Sequence, residues 1–144
     1  MTNYTKILVA VDLSDEASAV VQRGQAIATN NAATLDVIHV IEPLSFAYGG
    51  DIPMDFSGIQ EEIQQQASAK LKHLGDKHGI ADNRQHIVLG RPEVEVHGLA
   101  AETGADLIVI GSHGRHGLAL LLGSTANGVL HGAGCDVLAV RVGK

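Results

Sequence analysis

Lys6-Ile-Leu-Val-Ala-Val11-Asp12-Leu13-Ser14 is an apolar run that stops abruptly at a carboxylate and a hydroxyl. A run without polar alternation is the pattern of a strand buried on both faces, and such a strand needs helices over each side. The following segment supplies a helix. Ser14 is placed to cap it, with Asp15 and Glu16 in its first turn against the helix dipole. Ala17, Val20, Val21, Gly24, Ile27 and Ala28 then recur at helical spacing until Asn30-Asn31. Leu35-Asp-Val-Ile-His-Val-Ile41 reads as a second strand.

The alternation continues to the end of the chain. Residues 42–58 hold Pro43, Gly49, Gly50, Pro53 and Gly58 and form the longest irregular stretch. Ile59, Ile63, Ala67, Leu71 and Leu74 mark a second helix, stopped by Gly79. Gln85 to Leu89 is a short strand, and Gly90-Arg-Pro92 opens a helix running to about Thr103. Ala105-Asp-Leu-Ile-Val-Ile110 is a fourth strand bounded by Gly104 and Gly111, followed by a glycine-rich turn and a helix over about 124–131. Asp136-Val-Leu-Ala-Val-Arg-Val142 closes the chain as a fifth strand. Five strands separated by four helices imply right-handed crossovers and a doubly wound parallel sheet with helices on both faces. With 144 residues and no composition shift, the expectation is a single α/β domain over 1–144.

Composition limits the function. Hydrophobic residues make up 45% of the chain but aromatics only 3%, so the core is expected to be built from Val, Ile, Leu and Ala. A formal net charge of −6 argues against nucleic acid, whose backbone demands a cationic face. Cys135 is the only cysteine, which excludes an internal disulfide and a CxxC pair. The start, Met1-Thr-Asn-Tyr-Thr-Lys6, is polar and runs straight into a strand, and the greasy stretch 118–122 is too short for a bilayer. A cytoplasmic protein without membrane insertion is expected.

Open α/β sheets bind ligands beyond the carboxyl ends of their strands, where the strand order reverses. If the first and fourth strands begin the two windings, Val11-Asp12-Leu13-Ser14 and Gly111-Ser112-His113-Gly114 become neighbours. The second stretch leads to Gly123-Ser124-Thr125 at a helix start. Glycines let N–H groups approach phosphate oxygens, and a helix N-terminus adds donors and a positive dipole. Asp12 has the wrong sign for phosphate; it suits a ribose hydroxyl, an adenine edge or a magnesium-bound water. No Walker motif and no GxGxxG after the first strand are present, so spacing alone leaves a plain tight turn equally open.

Taken together, Lys6–Ser14, Leu35–Val40, Gly90-Arg-Pro92, Gly111-Ser-His-Gly114 with Gly123-Ser124, and Cys135–Arg141 resemble the universal stress protein family, in order and over nearly the whole chain. The resemblance implies a Rossmann-like sheet of order 3-2-1-4-5, a dimer and, in one branch, an ATP site. That branch carries Gly-x2-Gly-x9-Gly-[Ser/Thr], matched here by Gly111, Gly114, Gly123 and Ser124. The spacer 115–122 is eight residues, one shorter than the pattern, and the difference falls in the loop that wraps the phosphates. By resemblance, Ala10 and Asp12 lie near the adenosine, Val40 packs on adenine, and Ile110 and Gly111 floor the site. His113, Gly114, Gly123, Ser124 and Thr125 then surround the phosphates, with Arg115 added on grounds of charge. The implied function is a stress-response regulator binding ATP, with Mg2+ as the companion cation, and at most a weak ATPase. The alternative is a dimeric interaction protein that binds no nucleotide.

Plainer readings stand beside these. His113 and His116 have no neighbouring carboxylate or cysteine and suit solvent or phosphate better than a metal. His39, inside a strand, can hydrogen-bond backbone. Cys135 reads as a small core residue, and Asp12 as a cap for the first helix region. Strand 137–142 is apolar on both faces and ends the topology, so pairing with its copy in a homodimer would cover an exposed edge.

Overall fold

The computed structural model describes residues 3–43, 57–113 and 128–142. Its strands are β1 (Lys6–Ala10), β2 (Thr34–Ile41), β3 (Gln85–Leu89), β4 (Leu107–His113) and β5 (Asp136–Val142). Three helices alternate with them: α1 (Ala17–Asn31), α2 (Ser57–Lys77) and α3 (Pro92–Thr103). Residues 128–130 are also helical, and one 3-10 turn spans Asp82–Arg84.

All pairings are parallel, and the strand order is β3-β2-β1-β4-β5. The chain therefore winds from β1 toward β3, then crosses back to start β4 on the other side of β1. β1 lies at that switch, with Ala10 opposite Ile38 on one side and Ile110 on the other.

The period of two in a strand divides the core into two layers. Ile7, Val9, Val37, Leu107 and Val109 pack with Val20 and Val21 of α1 and Leu71 and Leu74 of α2. Leu8, Ile38, Ile108 and Ile110 pack on the opposite face with Val96 and Ala100 of α3 and with Val129. Aliphatic residues fill both layers, as the composition requires. Among the described residues no helix is long and apolar enough to cross a membrane.

Three differences between sequence and structure bear on the fold. Helix α1 starts at Ala17, so Asp15 and Glu16 precede its first turn. Ser14 does not cap it: its hydroxyl accepts the Glu16 N–H (3.3 Å) in a local turn. Second, β4 does not stop at Ile110. It continues through Gly111 to His113, because β5 supplies partners for the extra residues: Val140, Arg141 and Val142. Third, Ala67, Leu71 and Leu74 of the α2 stripe are buried, but Ile59 and Ile63 are 49% and 36% exposed. A helix of 21 residues is roughly 31 Å long, whereas the five-residue β3 spans roughly 17 Å. The helix outruns the sheet beneath it.

Candidate functional site

The carboxyl ends of β1 and β4 are adjacent, as a site at the switch point requires. The chain leaves β1 through a tightly specified turn. The Val11 N–H donates to the Ile38 carbonyl at 3.0 Å, and His39 Nδ1 lies 2.7 Å from the Val11 carbonyl oxygen. In that contact the imidazole is the donor, which assigns its proton to Nδ1. Asp12 Oδ1 accepts the Ser14 N–H at 3.0 Å, so the carboxylate closes an Asx turn while remaining exposed. Between them, Leu13 has φ +62°, in the left-handed region that a leucine seldom occupies.

Ala10, Val40 and Ile110 lie on one face of the sheet. All three contact the layer built on Ile38, Val96 and Val129, Ile110 buried and the other two half-buried. Helical residues 128–130, which follow the glycine-rich stretch, dock on this same face. The imidazole Nε2 of His97 on α3 lies 2.7 Å from the Val129 carbonyl oxygen, and a Cβ at Gly128 would come within 2.9 Å of Glu93 Oε2. Ala10, Val40, Ile110 and residues 128–130 thereby lie on one side of the sheet.

Gly111 differs from its expected setting. It is a strand residue beneath α1, not a turn residue. A Cβ there would stand 3.1 Å from Val20 Cγ2. His113 is the last residue of β4. Gly114, Arg115, His116, Gly123, Ser124 and Thr125 lie outside the described residues.

Cys135, Arg84 and His86 have structural settings. Cys135 is half-buried against the α3 layer, and burial, then the Asp136 and Asp106 carboxylates, push its thiol above the ordinary range. A raised thiol is a poor nucleophile, which agrees with its reading as a core residue. Arg84, at the end of the 3-10 turn, and His86 on β3 both bind Asp36 on β2, at 2.9 and 2.7 Å. The αL turn at Leu13 left no mark in the sequence, since glycine and asparagine are its usual signals and neither is present.

The fold is that of a doubly wound, Rossmann-like α/β protein with its strand order reversing at β1. Residues 3–141 match the model of the universal stress protein family, and the chain belongs to that family, a group of stress-response proteins. Universal stress protein A homolog 1 of Coxiella burnetii is 44% identical over 140 residues, covering 96% of each chain. Among solved structures, UspA from Lactobacillus plantarum superposes with a TM-score of 0.70 at 25% identity, covering 98% of this chain and 100% of that one. A universal stress family protein from Burkholderia pseudomallei gives a TM-score of 0.72 at 25% identity, covering 96% and 97%.

Proposed function

We propose that this chain acts as one cytoplasmic domain that binds ATP, with Mg2+ as companion cation, at the carboxyl ends of β1 and β4 as part of a stress response. The observation that carries the reading is the gathering of Ala10, Val40, Ile110 and helical residues 128–130 on one face of the sheet at the switch point. A methyl group at Ala10 and the half-buried isopropyl of Val40 offer a flat apolar surface of the sort an adenine base stacks on. Exposed Asp12 offers a carboxylate to a ribose hydroxyl or to a magnesium-bound water. Gly114, Gly123, Ser124 and Thr125 would supply N–H and hydroxyl donors to the phosphates, with Gly111 and His113 leading into that loop. No side chain among the described residues is arranged as a general base toward this position, so hydrolysis is expected to be slow or absent.

Calorimetric titration of nucleotide-stripped protein with MgATP tests the reading. Micromolar binding that disappears in Gly114→Val and Gly123→Val is the expected result. No binding at millimolar ATP would overturn it and leave the alternative, a dimeric interaction protein without nucleotide. For either function we propose a homodimer through β5, an edge of the sheet whose outer side has no partner strand in the described residues. Light scattering at micromolar concentration should give twice the monomer mass, and a monomer alone would overturn the dimer.

A further inference from the structure

We propose that the groove between the start of α1 and the C-terminal half of α2 is a second ligand site, built for a small carboxylate with a short apolar tail. The groove holds about 480 Å³, within the range of about 300–1,000 Å³ typical of small-molecule sites. Leu13, Ala17 and Leu74 give it an apolar side, while Lys70, His73 and Lys77 line the α2 side. Its fixed charges are two lysines against one carboxylate, Asp15, a positive balance on a chain of formal net charge −6. An anion is therefore drawn to this place in preference to most of the surface.

Polar groups at one end are organised before any ligand arrives. Lys77 Nζ donates to Ser18 Oγ at 3.3 Å, and His78 Nε2 lies 3.2 Å from the same hydroxyl. Burial, then the Lys77 charge, hold His78 below the usual imidazole range, which favours a neutral ring whose Nε2 accepts a hydrogen bond from the Ser18 hydroxyl. The Lys77 ammonium keeps two further donors for a carboxylate, and Lys70 makes no ion pair among the described residues. An alkyl tail would lie along Leu13, Ala17 and Leu74, where its burial adds roughly 0.8 kcal/mol per methylene. This groove is on the α1–α2 side of the sheet, opposite the face holding Ala10, Val40 and Ile110. It stands independently of nucleotide binding.

The test follows backbone amide shifts of the 15N-labelled full chain during titration with octanoate, and separately with 1-octanol, each with and without MgATP. Octanoate should produce saturable shifts at Ser18, Leu74 and Lys77 that ATP leaves in place, and octanol should not reproduce them. The K70Q/K77Q double variant, altered only at exposed helix positions, should weaken octanoate binding by about fivefold, the value of two surface charge contacts. The absence of saturable shifts at these amides would overturn the site. Equal shifts with octanol, or unchanged affinity in the double variant, would overturn recognition of the carboxylate. Should the double variant unfold, the octanoate and octanol arms on the wild-type chain decide the matter alone.

Discussion

Gly111 sits directly beneath Val20: a Cβ added to the glycine would lie 3.1 Å from Val20 Cγ2, with Val142 Cγ2 next at 3.7 Å. Both valines are buried, so neither can swing into solvent to make room. The closeness explains a glycine in the middle of a strand, where its lack of a side chain would otherwise weaken the sheet. Gly111→Ala should lower the unfolding free energy by about 1 kcal/mol, at the mild end of overpacking. The same change made in Val20→Ala should cost less, with a coupling of about 0.5 kcal/mol or more. Urea denaturation of the four proteins in the cycle measures this, and strict additivity would show that the contact is not the reason for the glycine.

Asp12 carries a turn whether or not it also carries a ligand. Asp12→Ala removes the acceptor for the Ser14 N–H and should cost about 1 kcal/mol of stability. Asp12→Asn keeps an oxygen in place and should melt near the wild-type temperature. If the carboxylate also holds the ribose, Asp12→Asn should weaken ATP binding by about fivefold, the difference between a charged and a neutral acceptor. Stability unchanged together with affinity unchanged would confine Asp12 to its turn.

His39 locks the exit of β1 through the Val11 carbonyl at 2.7 Å. Substituting His39→Phe keeps a ring and removes the donor, leaving a carbonyl next to the core unpaired. The unfolding free energy should fall by about 1–2 kcal/mol. Amide exchange should rise at Asp12, Leu13 and Ser14 more than at the centre of β1. Uniform acceleration across the sheet would instead mean that His39 matters through packing.

Acid sensitivity should be traceable in part to Asp106. Burial raises its carboxyl, but the Thr5 and Lys6 N–H groups and the Thr5 hydroxyl outweigh that and hold it below the ordinary value. The folded chain thus binds this proton less readily than the unfolded chain, whose carboxyl titrates near 3.9. The stabilisation is present above about pH 4 and is lost as the pH falls through the folded-state pKa. Because the group is largely open to solvent, its contribution is about 1 kcal/mol or less. Asp106→Asn should lower the melting temperature at pH 7 and narrow its gap from wild type below pH 4. A gap that stays constant with pH would remove the charge from the account.

Much of the architecture was legible in the residues. The limits of β3 and β5 fall where hydrophobic runs meet Asp, Gly and Gln, because buried strands and polar turns differ sharply in composition. The helix opened by Pro92 and closed by Gly104, at φ +75°, follows from the fixed φ of proline and the left-handed tolerance of glycine. The aliphatic core, the doubly wound class and the expectation of His39 bonding backbone rest on the same local rules.

Other features depend on contacts between distant residues. Gly111 reads as the start of a turn until β5 supplies Val140 as its neighbour, and Ser14 reads as a helix cap until the helix is seen to start at Ala17 with the Ser14 hydroxyl held in the turn before it. Ile59 and Ile63 have the spacing of a core stripe, yet only the lengths of α2 and β3 in space leave them uncovered. Local chemistry along the chain determined which segments become strands and helices, since side-chain period and turn propensity act over a few residues. Which strand ends meet and which glycine lies beneath a helix were decided only by tertiary packing, because those pairs are separated by tens of residues and become neighbours only when the sheet forms.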